Sequence, residues 1–431
     1  MSKFIIKGRK PIGGTYRVPG NKNAALPMLA ASLLTSEPVT LTNVPFIADV
    51  LTMLGLLGDM GVEVKTDKES HTVRIHAKRV KNTRLDKALC RQVRSSILFA
   101  GPLLARCGSA RLHSPGGDVI GRRRIDTHLE GLRDMGATVR KRGTAYTFST
   151  EKRLTGTRIM LDEASVTATE NLVMAATLAD GKTTLYNTAC EPHVQNLCNM
   201  INDMGGKISG IGTNLLTIEG ARKLHGTEQE VGPDTITAGS YIVAALVTGG
   251  DLTLENIDPA DFEVLDKPFK RFGVRLLINE EQRIIRIPPR QKLKTKYDFG
   301  DAIPKIEDGP WPMFPSDLMS VLIVLASQTR GTMLFFEKMF ESRMYFVDHL
   351  IGMGARIVQC DPHRIVVTGP SKLQHSRMTS PDIRAGMALL IAALCARGTT
   401  EIMNAGSIDR GYENVEEELR KLGANIERVT S

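Results

Sequence analysis

Along this chain the spacing of apolar positions switches repeatedly between two periods. Stretches rich in Ala, Leu and Met, patterned as helices, run into a Gly or polar turn and then into the alternation of a strand. Residues 171–186 (Asn-Leu-Val-Met-Ala-Ala-Thr-Leu-Ala-Asp-Gly-Lys-Thr-Thr-Leu-Tyr), 240–254 and 386–402 show the pattern most clearly. Small side chains let such helices pack closely, and the glycine serves a helix exit that needs positive φ. A second signature, helix end then Gly then strand start, reads Asp-Met-Gly-Val-Glu-Val around Gly61 and Asp-Met-Gly-Ala-Thr-Val around Gly136. It returns at Gly205, Gly273, Gly354 and Gly423. The spacing, roughly 70–80 residues, exceeds the usual solenoid periods, so each copy is a unit of about two helices and several short strands. Six such units fill an α/β chain, and these glycines and apolar runs build scaffold rather than chemistry.

Length changes the picture first: 431 residues, 42% hydrophobic, predict two cores, since single cores stop growing at about 250–300 residues. A formal charge of +9 and a pI near 9.2 predict an acidic partner without naming it. The 5% aromatics, one tryptophan (Trp311) and absence of a basic run interleaved with aromatics argue against a single-strand nucleic-acid platform. The most apolar windows, residues 320–327 and 387–395, fall short of the roughly 20 residues a membrane helix needs and predict core helices. The opening Met-Ser-Lys-Phe-Ile-Ile-Lys-Gly has too short an apolar stretch for a secretory signal, so a cytoplasmic protein with no membrane partner is expected. The six cysteines (Cys90, Cys107, Cys190, Cys198, Cys360, Cys395) lack CxxC spacing; reduced, mostly buried thiols are expected, with no metal site and no disulfide framework.

Function is therefore sought in residues that break the repeat. In Pro-Gly-Asn-Lys-Asn-Ala-Ala (residues 19–25), a turn precedes a helix expected to begin near Leu26, and Lys22 lies by the amides of a helix start, a natural anion site. The alternative is a solvated surface lysine. The loop Ser-Pro-Gly-Gly-Asp-Val-Ile-Gly-Arg-Arg-Arg-Ile-Asp-Thr-His (residues 114–128) combines glycines that let backbone approach a ligand with three adjacent arginines suited to phosphate. Those arginines repel one another and call for an anion or nearby carboxylates; an ordinary basic loop, with Asp118 as a turn residue, is the plainer reading. In the second half, Phe-Pro-Ser-Asp317, Phe-Glu-Ser-Arg343, Pro-Asp-Ile-Arg384 and Ile-Asp-Arg410-Gly-Tyr each put an arginine or a lone carboxylate near a strand-to-helix junction. Units arranged around a pseudo-threefold axis bring them to one cleft; otherwise they are separate surface ion pairs.

Taken together, Gly-Asn-Lys-Asn-Ala-Ala, Pro-Gly-Gly-x-x-Ile-Gly, Ala-Ser-Val-x-Ala-Thr, Glu-Pro-His-Val, Phe-Pro-x-Asp, Phe-Glu-x-Arg, Asp-Ile-Arg-Ala and Ile-Asp-Arg-Gly-Tyr resemble, in order and end to end, the UDP-N-acetylglucosamine 1-carboxyvinyltransferase (MurA) family of enolpyruvyl transferases. The resemblance implies a two-domain inverse α/β barrel of six βαβαββ-type repeats, three per domain. A discontinuous domain of residues 1–21 plus 233–431 and an inserted domain of 22–232 would flank the active-site cleft. It implies addition of the sugar 3′-hydroxyl to C2 of phosphoenolpyruvate while C3 gains a proton, then loss of phosphate, as the first committed step of peptidoglycan synthesis. No cofactor and no metal are implied. By motif, Lys22, Arg123 and Arg410 hold the phosphate, Arg343 and Arg384 surround the carboxylate side, and Asn23 and Arg94 complete the ligand shell. Asp317 is the base for the hydroxyl. Glu191 and Asp382 are polar neighbours of the reacting centre, and Arg123, Arg124, Ile125, Asp126, Thr127, Ser165, Val166 and Met339 line the nucleotide-sugar side.

Asp118 occupies the loop position at which most members of that family have cysteine, a residue tied there to protonating C3 and to capture by the epoxide fosfomycin. A carboxyl can transfer the proton but is a poorer nucleophile toward an epoxide than a thiolate, so fosfomycin resistance is expected. Glu163 stands where family members can carry a diphosphate-facing lysine, and Arg122 and Arg124 where they can carry small residues or proline; the extra arginines are expected to replace the missing charge. Thr237 and the stretch 297–311 are unusual and have no functional reading at this level. Two rivals remain: a paralogue acting on another nucleotide or sugar acceptor, or less readily on shikimate phosphate, and a non-catalytic nucleotide-sugar-binding regulator.

Overall fold

The computed structural model describes residues 2–118 and 120–430. All six repeat glycines take positive φ: 76° at Gly61, 94° at Gly136 and Gly205, 73° at Gly273, and 99° at Gly354 and Gly423. Each closes a helix in the same way. Gly61 N–H donates to Gly58 O (2.9 Å) and Val62 N–H to Leu57 O (3.1 Å); at Gly423 the equivalent bonds run to Arg420 O (3.0 Å) and, from Ala424, to Leu419 O (2.9 Å). This double bond satisfies two carbonyls that the helix end leaves open, and its left-handed residue favours glycine. The glycines recur because the same exit is built six times.

Contacts divide the chain into two compact units: Met1–Pro19 with Asp118–Arg123 and Pro233–Ser431, and Gly20–Gly117 with Arg124–Gly232. Among the described residues each unit carries three sheets. In the first, the sheets are built around Ser2–Lys7 with Thr399–Met403, Leu252–Glu255 with Ile284–Ile287, and Gly331–Phe336 with Arg364–Gly369. Each has four strands, one pair parallel and the rest antiparallel, and in the Gly331–Phe336 sheet the parallel pair is joined by a crossover through the helix Ser316–Gln328. The last repeat is completed by the chain's own first strand, Ser2–Lys7, which lies between Thr399–Met403 and Asn425–Thr430.

The second unit departs from the regular repeat at one sheet. Ser109–His113, Ala145–Ser149 and Thr138–Arg142 form three strands, and the expected fourth is reduced to a single parallel bridge between Arg84 and Arg111. A second difference concerns the loop carrying Asp118: the sequence division puts it inside 22–232, whereas Asp118–Arg123 packs with the other unit. Arg122 N–H donates to Glu341 Oε2 (3.1 Å) and Ser342 N–H to Ile120 O (3.2 Å), which fixes the loop there.

Helices buried on nearly every side fill the cores. In the first unit Thr235–Thr248, Ser316–Gln328 and Ile383–Cys395 pack on one another; in the second Lys22–Ala31, Ala100–Cys107 and Val166–Thr177 occupy the equivalent place. Their all-round apolar composition fits that surrounding. Small residues set the approach: a Cβ on Gly101 would lie 2.3 Å from Asn171 O, and the Gly101 N–H donates to Asn171 Oδ1 at 2.6 Å. The helix after Asn21 begins at Lys22, four residues before the sequence expectation, and accommodates Pro27 within it. The cysteines are free but less buried than expected: Cys107 and Cys360 are exposed. Thr237 is buried in the first turn of its helix, where its N–H donates to Asp234 Oδ1 (3.1 Å).

Candidate functional site

The buried helices deliver the repeat-breaking residues at their N-terminal ends. In the first unit Asp317 is the second residue of Ser316–Gln328, Asp382 caps Ile383–Cys395, and Arg384 follows in that helix's first turn. Asp382 Oδ1 accepts from Arg384 N–H (2.8 Å) and Ala385 N–H (3.0 Å), a cap that fixes where Arg384 enters the helix. In the second unit Lys22 opens Lys22–Ala31 behind the Asn21 cap, and Asn23 N–H donates to Asn21 Oδ1 (2.7 Å). Arg94 begins a short 3₁₀ segment, and Ser165 and Val166 start Val166–Thr177.

Asp317 is held from two sides. Arg343 Nη2 reaches its Oδ1 at 3.1 Å and Arg384 Nη2 its Oδ2 at 2.9 Å, with both guanidinium side chains at most 5% exposed and Asp317 28%. Burial works against the charge on Arg384, but Asp317, Tyr412 and Asp234 outweigh it and raise its pKa above the ordinary value. Arg123 and Arg343 share the ring of Phe340, at 5.8 and 5.1 Å from its centroid. Burial lowers the Arg123 pKa, and Asp118 and Asp317 oppose the shift. Asp118 itself pairs with Arg410. Burial raises Asp382, with Arg343 and its backbone donors pulling the other way. Asp118, Arg123, Asp317, Arg343, Asp382, Arg384 and Arg410 thus form one linked set of charges, while Met339 sits beside them in sequence, 40% exposed. Four arginines among three carboxylates leave this set with an excess of positive charge, chemistry suited to a small polyanion.

The second unit gathers the rest. Lys22 is buried rather than solvated, its Nζ 2.8 Å from Asp49 Oδ2. Arg94 Nη2 donates to Arg124 O (2.8 Å), tying the 3₁₀ segment to the basic loop. Arg124 is exposed and pairs with Asp126; Thr127 Oγ1 donates to Asp162 Oδ1 (2.6 Å). Ile125 is half-buried and precedes the helix Asp126–Asp134. Of the three adjacent arginines only Arg123 is drawn inward, so their mutual repulsion is relieved by separation and by Asp118, Asp126 and Glu341. Glu163 lies in the field of Arg94 and Arg124: burial and Asp162 raise its pKa, and the two arginines lower it.

Several groups escaped the sequence reading. Asp49, the partner of Lys22, sits on the core side of Ala48–Asp59, and a carboxylate at an apolar position of an amphipathic helix was the available signal. His128 is buried between Thr167 Oγ1 (3.1 Å from Nε2) and Asn171 Nδ2 (3.0 Å from Nδ1), and burial, then Arg94, push its pKa down to about 3. Glu170 is 1% exposed, raised well above the usual carboxyl range by burial and by Glu191, the half-buried residue before Pro192–Asp203.

Comparison with known proteins places the chain in a family. The profile of the EPSP synthase (3-phosphoshikimate 1-carboxyvinyltransferase) family matches residues 6–419. A UDP-N-acetylglucosamine 1-carboxyvinyltransferase of Treponema denticola is 50% identical over 427 residues, 99% of both chains, and one of Borreliella burgdorferi 49% identical over 431 residues, all of both. Among solved structures, the enolpyruvyl transferase NikO from Streptomyces tendae superposes with a TM-score of 0.89 at 24% identity, covering 100% of this chain and 99% of that one. EPSP synthase from Acinetobacter baumannii gives 0.78 at 20% over the whole of both, so these two speak for the fold alone. The chain belongs to the EPSP synthase family of enolpyruvyl transferases and, within it, to the family of UDP-N-acetylglucosamine 1-carboxyvinyltransferases.

Proposed function

We propose that this protein transfers the enolpyruvyl group of phosphoenolpyruvate to the 3′-hydroxyl of UDP-N-acetylglucosamine, releasing phosphate, as the first committed step of peptidoglycan synthesis in the cytoplasm. The observation that carries the acceptor is the end-to-end identity of about one half with transferases named for it. Asp317, aimed by two arginines, takes the proton of the hydroxyl as its oxygen attacks C2. Asp118 delivers a proton to C3, giving the tetrahedral intermediate; loss of that C3 proton and of phosphate then yields the enol ether. Lys22, Asn23, Arg123 and Arg410 bind the phosphate, and Arg343 and Arg384 the carboxylate. Cations on both acid groups stabilise charge that develops at each. Arg94, residues 123–127, Ser165, Val166 and Met339 contact the nucleotide sugar, and Glu191 and Asp382 support the reacting centre.

Asp118 stands in place of the cysteine common in this family. Fosfomycin alkylates a thiolate, and a carboxylate attacks an epoxide far more slowly, so the enzyme is resistant. The test is phosphate release by the unmodified protein, Asp118→Asn and Asp118→Cys, with and without prolonged fosfomycin. Loss in the Asn form, retention in the Cys form and new sensitivity of the Cys form are expected. Irreversible inactivation of the unmodified protein would refute resistance, and no release with UDP-N-acetylglucosamine despite bound phosphoenolpyruvate would move the acceptor to another nucleotide or sugar.

Arg124 compensates for Glu163 on the diphosphate side. Arg124→Ala is expected to raise KM for UDP-N-acetylglucosamine about threefold to tenfold with kcat little changed, as for lost uniform binding. An unchanged KM removes the compensation idea.

A further inference from the structure

The stretch 297–311, unexplained at the sequence level, ends in a buried carboxyl pair. Lys305–Glu307 and Gly331–Phe336 are parallel neighbours, with Glu307 opposite Phe336. The next residues of the two strands, Asp308 and Glu337, are both 0% exposed. Asp308 Oδ1 accepts the Lys338 N–H at 2.5 Å, whereas its Oδ2 has no donor among the described residues. Glu337, the next residue of the paired strand, can supply one by carrying a proton. Two buried carboxyl groups at neighbouring positions of paired strands disfavour double ionisation. Burial first, then the Asp308 contact and charge, raise the Glu337 pKa well above the usual carboxyl range, in accord with that.

Glu337 also reaches toward the charged set. Its Oε1 and Oε2 accept from Ser316 Oγ at 2.9 and 3.0 Å, its Oε1 from Phe340 N–H at 3.2 Å, and its Oε2 lies 4.0 Å from Arg343 Nε. Ser316 immediately precedes Asp317, and Phe340 carries Arg123 and Arg343 on its ring.

We propose that Asp308 and Glu337 share one proton and act as positioning residues for enolpyruvyl transfer, their single negative charge and hydrogen bonds setting Ser316–Asp317 and the Phe340–Arg343 turn. This rests on the reading of Asp317 as base and Arg343 as carboxylate ligand. Asp308→Asn or Glu337→Gln each leaves one negative charge and a donor between the two groups. The double amide variant removes the charge beside Arg343 Nε and leaves Asp317 as that arginine's remaining counter-charge.

The experiment is steady-state phosphate release, with both KM values and the melting temperature, for the two single variants and the double. Each single is expected to lower kcat about threefold and the double about fiftyfold or more, beyond the roughly tenfold product of the singles. KM for phosphoenolpyruvate should rise in the double while KM for UDP-N-acetylglucosamine stays within about twofold. A double variant no worse than the product of the singles overturns the proposal, as does activity loss that merely follows falling melting temperature. Should the double not fold, Ser316→Ala decides: kcat lowered threefold or more at unchanged melting temperature supports the link, and unchanged kcat overturns it. An unmodified protein that releases no phosphate would instead refute the assigned reaction.

Discussion

Asp317→Asn is expected to lower kcat for phosphate release by about 10³-fold, within the range general-base catalysis usually supplies. The substitution keeps shape and removes charge. The carboxylate accepts from Arg343 at 3.1 Å through one oxygen and from Arg384 at 2.9 Å through the other, which fixes its plane. An amide can satisfy one guanidinium but turns a donor toward the second, and it cannot take up the hydroxyl proton. It also leaves two guanidinium groups, at most 5% exposed, without their shared counter-charge. An anionic substrate then gains attraction, so KM for phosphoenolpyruvate should hold or fall while kcat collapses, the sign of an interaction made chiefly in the transition state. Asp317→Glu restores charge but lengthens the arm, and a partial recovery is expected. A kcat within tenfold of the unmodified protein in the Asn form would remove Asp317 as the base.

The parts of this molecule legible in its sequence are those fixed within a few residues. The six helix-closing glycines could be read because one hydrogen-bond pattern at a helix end requires a left-handed residue, and nothing distant competes with it. The same locality made Asp317, Arg343, Arg384 and Arg410 visible as polar interruptions at strand-to-helix junctions. Their grouping around Asp317 and Asp118 depends on which helices pack together, and sequence spacing carries no such information. Strand register hid the pairing of Asp308 with Glu337, residues that become neighbours only when Lys305–Glu307 aligns with Gly331–Phe336. The three-stranded sheet escaped notice because the short segment around Arg84 retains one bridge where its counterparts form a full strand. The loop Asp118–Arg123 reads as part of the inserted segment on chain order alone, and its bonds to Glu341 and Ser342 overrule that order.

Lys22 tests the distinction between holding the fold and holding a substrate. Its Nζ lies 2.8 Å from Asp49 Oδ2, the two side chains 11% and 6% exposed, on adjoining helices of one unit. Breaking such a pair strands a charge that water cannot reach, at a cost of about 3–5 kcal/mol, whereas replacing both partners with apolar groups is often near neutral. Lys22→Met should therefore unfold at markedly lower urea, and Lys22→Met with Asp49→Leu should recover most of the loss. Activity is expected to behave otherwise. Phosphate release should be absent in the single variant and stay absent in the stabilised double, because the cation proposed to hold the phosphoenolpyruvate phosphate is gone in both. Asp49→Asn keeps that cation; its stability should fall, yet turnover should remain detectable with an altered KM for phosphoenolpyruvate. Recovery of turnover along with stability in the double variant would make Lys22 a structural residue and leave phosphate binding to Arg123 and Arg410.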